Sequence, residues 1–400
     1  MRAPETMAVM NVLHDGGAAA RFVGGCVRDT LLHRPIRDID IATDAPPERV
    51  MVLMHDAGYT VVATGVAHGT VTAVIGGKSF EITTLRHDVE TDGRHATVAF
   101  TGDWEADAAR RDLTMNALSL ETDGVLHDPF GGRADLEAGR VRFVGDPGQR
   151  ITEDVLRLLR FFRFQAHYGK VPPDDAALSA CRTMAPMLES LSAERVRSEF
   201  LKLLEAPDPV PTLMLMRDLD VLAHFLPEAS KIDRLARLVR IESALAAFPA
   251  DPLRRLAAVL RMDAEGVKSI AARLRLSNAE RDYLAMSLRL DVAPPLDPAA
   301  RRRYIYRHGV SAFRERGLLG WADASEPVDA DWCDLLDAAG EWQPEVFPLT
   351  GADILARQVS RGPDVGALLA AVEDWWIAGD FQADRQACLT KLDEEIRSHR

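Results

Sequence analysis

The 400-residue chain has few cysteines: Cys26, Cys181, Cys333 and Cys388 lie far apart, with no Cys-x-x-Cys pair. That spacing excludes a zinc ribbon and argues against a disulfide framework. No apolar run reaches the roughly 18 residues a membrane-spanning helix needs, and the N-terminus lacks a basic stretch leading into an apolar one. Positive charge is also in deficit. Against 61 Asp and Glu stand 48 Lys and Arg, a net charge of −13, the wrong sign for a protein that coats nucleic acid nonspecifically. Neither a solenoid-like repeat nor a low-complexity tract is present. With 47% hydrophobic residues the chain can build sizeable cores. The expectation is a soluble, cytoplasmic protein of a reducing compartment, with no zinc and no membrane partner; oligomeric state stays open.

The first 145 residues are rich in glycine and in short β-prone runs, at 20–24, 39–43, 60–63, 71–75 and 80–85, with a helical pattern at 47–57. From Ile151 onward the pattern is helical, broken by prolines such as Pro172-Pro173, Pro207, Pro227 and Pro294-Pro295. This predicts an α/β head, a small mixed sheet with helices, followed by an all-helical remainder. The acidic excess concentrates in residues 291–400. Residues 171–290 are balanced and leave room for an arginine-rich face toward a polyanion.

Three constellations carry chemistry. Phe22-Val-Gly24-Gly25-Cys-Val-Arg28 reads as a strand turning sharply into a helix, a place where backbone N–H groups and Arg28 can meet a phosphate. An ordinary tight turn has the same signature. Asp38-Ile-Asp40-Ile alternates, so on a strand both carboxylates share one face. Such a pair suits two Mg²⁺ ions that activate both oxygens of a phosphoryl transfer, or else an edge strand with its polar side outward. Glu81, alternating with Phe80 and Ile82, completes an acidic trio if its strand lies beside that one; it fits a solvent-facing glutamate equally well. Finally, residues 153–164 read as one helix with Val155, Leu158, Leu159 and Phe162 on a core stripe. Arg157, Arg160 and Arg163 form a basic stripe opposite, with Asp154 one turn from Arg157. A solvated face with a Glu153–Arg157 pair, worth only about 0.2–0.5 kcal/mol, has the same pattern.

The run Gly24-Gly-Cys-Val-Arg28-Asp29, Leu31-Leu32, Asp38-x-Asp40, with Arg110-Arg-Asp-Leu-Thr-Met-Asn116, Asp128-Pro-Phe-Gly-Gly132-Arg-Ala-Asp135 and Glu153-Asp-Val-Leu-Arg157, resembles the class II tRNA nucleotidyltransferase and poly(A) polymerase family, of the polymerase β-like superfamily. The resemblance covers roughly 20–205. It implies a catalytic head (1–145), a neck that recognises the nucleotide base (146–205), a body (206–290) and an acidic tail (291–400). It implies Asp38 and Asp40 as Mg²⁺ ligands with Glu81 beside them, and Gly25, Arg28 and Arg111 at the triphosphate. Asp112 and Asn116 would lie near the ribose, and Arg160 and Arg163 would help bind the nucleotide. The segment around Asp128, Gly131-Gly132 and Asp135 would act as a hinge.

In such enzymes Asp154 and Arg157 select CTP or ATP without a template. Cytosine and adenine both set an amino donor beside a ring-nitrogen acceptor; guanine and uracil reverse the order. A fixed acceptor beside a fixed donor therefore matches C and A, and the wrong bases leave polar groups unpaired. Thr64-Gly-Val-Ala-His68-Gly-Thr-Val71 resembles the CCA-adding branch, which adds C, C and A to the 3′ end of tRNA. The alternatives are an A-only or poly(A)-adding enzyme and a catalytically dead RNA-binding regulator. Arg195 and Lys202 on the neck helix are candidate RNA-phosphate contacts, though a solvated face explains either. His68 is expected to be structural, and His14-Asp15, His55-Asp56, His87-Asp88 and His127-Asp128 coincidental rather than a phosphohydrolase centre.

Overall fold

The computed structural model describes residues 1–36, 38–92, 95–289, 291–324 and 329–398, leaving aside the side chains of 67 and 88–98. Asp88, of the His87-Asp88 dipeptide, thus lies outside the described side chains. The chain divides into two compact units, Met1–Ser230 with Ala272–Arg275, and Lys231–Ala271 with Leu276–Arg400.

The first unit opens with α1 (Pro4–Asp15), β1 (Ala20–Val23), α2 (Gly25–Leu31), β2 (Asp40–Thr43), α3 (Pro47–Asp56), β3 (Thr60–Gly65), β4 (Thr70–Ile75) and β5 (Lys78–Thr84). A hairpin of β6 (Arg86–Asp92) and β7 (His95–Phe100) follows, then α4 (Trp104–Ala109), β8 (Ser119–Leu120), β9 (Leu126–His127) and α5 (Gly132–Ala138). Among the described residues the main sheet runs β3-β4-β5-β2-β1-β8-β9. Only β2 and β5 are parallel, so the sheet is mixed, as expected. The hairpin and the two-residue strands were not legible: two residues cannot show an alternating pattern.

Prolines at the first helical turn start α1 and α3, where the missing N–H costs nothing. Both helices lay one apolar face on the sheet: Val9, Met10, Leu13, Val50 and Met54 pack with Phe22, Ile41, Val71 and Ile82 in one core. Because side chains alternate along a strand, Asp40 and Glu81 point away from that core. They also sit in register on neighbouring strands. Asp38, however, lies before β2 and not on it, so the expected two-carboxylate strand face is one strand residue and one loop residue.

The remainder of the first unit is helical: α6 (Pro147–Glu153), α7 (Leu156–Tyr168), α8 (Asp175–Met184), α9 (Ala193–Leu204) and α10 (Val210–Asp218). The single helix expected over 153–164 is broken. Asp154 has extended backbone, φ −151°, ψ 107°, between α6 and α7. Its carboxylate accepts the Leu156 N–H at 3.1 Å, a local bond by which an aspartate competes with helix continuation and starts a new one. On α7 Leu158, Leu159 and Phe162 are buried as expected, but so are Leu156, Phe161 and Phe164, so the buried face is wider than the expected stripe.

The second unit follows the expected helical pattern: α11 (Ile232–Ala244), α12 (Pro252–Val259), α13 (Ala264–Arg273), α14 (Asn278–Ser287), α15 (Pro298–Ala324), α16 (Ala330–Asp337), α17 (Gly351–Leu355), α18 (Pro363–Ala378) and α19 (Arg385–Ser398). Gly309, at φ 83°, kinks α15. The arginine-rich face imagined for 171–290 is partly internal, since Arg234, Arg254 and Arg255 are buried. Arg254 donates to Glu315 and Glu242, and Arg255 to Glu242. No helix among the described residues is long and apolar enough to cross a membrane.

Candidate active site

A cavity of about 960 Å³ in the first unit is lined by Gly25, Arg28, Asp38, Asp40, Arg111, Asp112, Asp154, Arg157, Arg160, Arg163, Arg195 and Lys202. Every site residue expected from the sequence is there except Glu81, which stands exposed on the neighbouring strand.

The glycine corner begins at Gly24, whose φ of 69° is the left-handed region that glycine tolerates. A Cβ there would also come within 3.2 Å of Arg111 Nη1. The following helix α2 has only seven residues, so its dipole is short. The cationic side chains supply most of the positive field. Arg28 donates from Nη1 to Asn116 Oδ1 at 2.7 Å and from Nε and Nη2 to Asp29 at 2.9 Å each. Its guanidinium lies 4.6 Å from the Tyr168 ring centre and 5.1 Å from that of Phe164.

From there a chain of bonds crosses the cavity floor. Asn116 Nδ2 donates to Asp112 Oδ1 at 3.1 Å, and Arg160 Nε donates to Asp112 Oδ2 at 2.6 Å. Burial pushes the Asp112 carboxyl up, but Arg160 together with the bonds from Asn116 and the Leu113 N–H outweighs this and holds it below the usual range. Asp107 behaves likewise, burial being outweighed by Arg111 and Arg110. The same arrangement repeats for other lining cations: Arg111 pairs with Asp107 at 3.1 Å, Arg157 with Glu153 at 2.6 Å and Arg163 with Glu199 at 3.1 Å. Each arginine is thus fixed from behind by a carboxylate and presents its remaining donors to the cavity. Such preorganisation lowers the cost of ordering long side chains on a polyanion.

At the opposite wall Arg157 is held by three acceptors: Glu153, Arg150 O at 3.3 Å and Arg110 O at 2.8 Å. The Arg157 backbone N–H donates to the Asp154 carbonyl at 2.9 Å, while the Arg157 guanidinium turns to other acceptors. Arg195, expected at an RNA phosphate, instead reaches Asp154 with Nη2, 3.0 Å from Oδ1 and 2.8 Å from Oδ2. Lys202 lines the cavity, and its carbonyl accepts from His167 Nε2 at 2.7 Å.

Burial raises the Asp40 carboxyl above its usual value, and the charges of Glu81 and Asp38 add to this while Arg111 opposes. A cation between these groups would remove that penalty. Among the described residues no three acidic, His or Cys groups form a ready-made metal cage. Two hard carboxylates with open positions suit a divalent ion that keeps water and phosphate oxygens as its other ligands. The residues present therefore fit a divalent cation.

Several partners escaped the sequence reading. Asp107 sits three and four residues before Arg110 and Arg111, a helical spacing that could have flagged it. Phe164 and Tyr168 are also four apart on α7. Glu199 carries no such signal. Asp135, in the segment expected to act as a hinge, is buried and accepts from Thr114 at 2.7 Å and Arg142 at 2.9 Å. A Cβ on Gly132 would fall 2.1 Å from Thr114 O, so this segment is packed tight. His68 ends a short 3-10 turn with its side chain exposed, and its backbone carbonyl accepts from Arg86.

A mixed sheet that brings Asp38 and Asp40 to a cavity shared with a glycine corner and several arginines defines the head of a nucleotidyltransferase. Residues 20–142 match the poly A polymerase head domain, and residues 173–232 match the probable RNA and SrmB-binding site of polymerase A. The chain is 34% identical to the mitochondrial CCA tRNA nucleotidyltransferase 1 of Homo sapiens over 396 residues, spanning 93% of this chain and 86% of that one. It is 30% identical over 395 residues to a CCA-adding enzyme of Streptococcus pneumoniae, covering 98% and 97%. The crystal structure of the Bacillus stearothermophilus CCA-adding enzyme in complex with CTP superposes with a TM-score of 0.82, at 28% identity, over 100% of this chain and 99% of that one. The chain belongs to the tRNA nucleotidyltransferase and poly(A) polymerase family, on its CCA-adding branch, and is an enzyme of that kind.

Proposed function

We propose that the enzyme builds or repairs the 3′-terminal CCA of tRNA, using CTP twice and ATP once and releasing pyrophosphate. The observation that carries this reading is the single cavity in which Asp154 and Arg157 face the same space as the glycine corner and Asp40. A base read at one wall then has its triphosphate at the corner and its α-phosphorus near the acidic strand.

Arg28, fixed by Asp29 and Asn116, and Arg111, fixed by Asp107, bind and orient the triphosphate. Asp112 and Asn116 keep the floor rigid beneath the ribose, and Arg160 and Arg163 add charge along the wall. At the base edge, the Asp154 carboxylate accepts from the exocyclic amine and Arg157 donates to the ring nitrogen. Uracil and guanine present the reverse order and would leave both groups unpaired in a partly buried site. Asp38 and Asp40, with Glu81 adjoining, would hold Mg²⁺, which supplies charge neutralisation at the primer hydroxyl and the departing pyrophosphate. In-line geometry then comes from positioning rather than from a covalent protein intermediate.

The finer division into head (1–145), neck (146–205), body (206–290) and tail (291–400) belongs to the same reading, with the helices after the head gripping tRNA by backbone and shape. Four free cysteines fit a reducing compartment, and we place the enzyme in the cytoplasm with its tRNA substrate. The test is a tRNA ending at its discriminator base, incubated with Mg²⁺ and each nucleotide set in turn. CTP alone should add two residues, and CTP with ATP three. Failure to add C, or unlimited A addition, overturns the reading; chelation by EDTA should stop all addition.

A further inference from the structure

The base-selecting carboxylate occupies an unusual position. Asp154 is not on a helix, because its backbone is extended between α6 and α7, so no helical turn fixes the direction of its side chain. Two contacts do. Leu156 N–H donates to Oδ1 at 3.1 Å, and Arg195 Nη2 lies 3.0 Å from Oδ1 and 2.8 Å from Oδ2. Arg195 comes from the first turn of α9, and it is 41 residues away in the chain. Both side chains stay about a third exposed to the cavity, 32% for Arg195 and 30% for Asp154.

We propose that Arg195 is a positioning residue for nucleotide selection, holding the Asp154 carboxylate so that one acceptor site faces the base. This rests on the proposed function above. A carboxylate has about four lone-pair sites over its two oxygens. Leu156 N–H approaches Oδ1, and the single Nη2 of Arg195 forks across Oδ1 and Oδ2, closer to Oδ2. One site on Oδ2 remains, matching the single amino hydrogen that cytosine or adenine offers on that edge. Without Arg195 the carboxylate turns about its side-chain bonds and both oxygens open to water. A hydrated, mobile acceptor no longer penalises uracil or guanine by stranding a buried group. The opposite half of the reader, Arg157, is already held by three acceptors and keeps its geometry in either case.

The test compares wild type with Arg195→Leu and Arg195→Lys, using the full chain, tRNA lacking CCA, and each of CTP, ATP, UTP and GTP. In Arg195→Leu the CTP-over-UTP and ATP-over-GTP ratios of kcat/KM should fall by about 10-fold or more, chiefly through a raised KM for CTP and ATP. Affinity for inorganic tripolyphosphate and for tRNA should not change, because neither touches Asp154. Arg195→Lys keeps one cationic donor and should recover part of the lost discrimination; it also serves if the leucine variant does not fold. Unchanged ratios in both variants, or a loss confined to tRNA affinity, overturn the proposal and return Arg195 to an RNA-phosphate contact. A wild-type enzyme that already accepts all four nucleotides equally would instead overturn the proposed function itself, so the two failures read differently.

Discussion

Arginine–carboxylate pairs are built twice in this molecule, with opposite outcomes. In the second unit Arg254 makes four hydrogen bonds, to Glu315 twice, Glu242 and Pro249 O, and it is buried. Burial alone would lower its affinity for the proton, but Glu315 and Glu242 raise it. Tyr283, half-buried and bonded to Glu315, is pushed far up. At its centre Arg254, Arg255 and Glu242 keep only 6%, 2% and 3% of their side chains exposed. In the first unit Arg28, Arg111, Arg157, Arg160 and Arg163 line an open cavity, each paired with a carboxylate yet keeping between 10% and 31% of its side chain exposed. The same chemistry is structural where the pair is almost wholly buried and receptive where it borders an open cavity.

The largest expected effect breaks the open side. Asp40→Ala should lower kcat about 1,000-fold or more, on the scale of losing a main electrostatic contributor, with tRNA affinity and melting temperature unaltered; turnover within about 10-fold of wild type would contradict the metal assignment. Glu242→Ala breaks the closed side, leaving Arg254 and Arg255 buried without their shared partner. Urea unfolding should show a loss of about 3–5 kcal/mol, while CTP affinity of the folded protein stays as it was. Arg28→Lys sharpens the contrast: a lysine cannot span Asp29 and Asn116 together, so KM for CTP and ATP should rise about 10-fold with little change in stability. Smallest is Arg281→Ala, which removes an exposed pair with Asp282 and should shift stability by less than about 0.5 kcal/mol, leaving kinetics alone.

The legible parts of the molecule were those written in short-range patterns. Alternation around Asp40 and Glu81 was enough to expect two strands but left open whether they are neighbours; they are, and they sit in register. The spacing of Arg157, Arg160 and Arg163 correctly put them on one wall. What could not be read are pairings made across the chain: Arg28 with Asn116, 88 residues apart, Arg160 with Asp112, 48 apart, and Arg195 with Asp154. No local period encodes them. The helix break at Asp154 was hidden for a related reason. The apolar and basic spacing continues across the break, while the extended Asp154 accepts the Leu156 N–H and Arg150 donates to Ala109 O. Buried Arg254 and Arg255 looked like surface residues because their neutralising partners lie elsewhere in the sequence.

The central claim is that fixed protein groups in the first unit, with no nucleic-acid template, distinguish cytosine and adenine from uracil and guanine. Equilibrium binding of the four nucleoside triphosphates to the free enzyme with Mg²⁺, measured calorimetrically in the absence of tRNA, tests it directly. CTP and ATP should bind with similar affinity and UTP and GTP at least about 10-fold more weakly. Equal affinity for all four would contradict it.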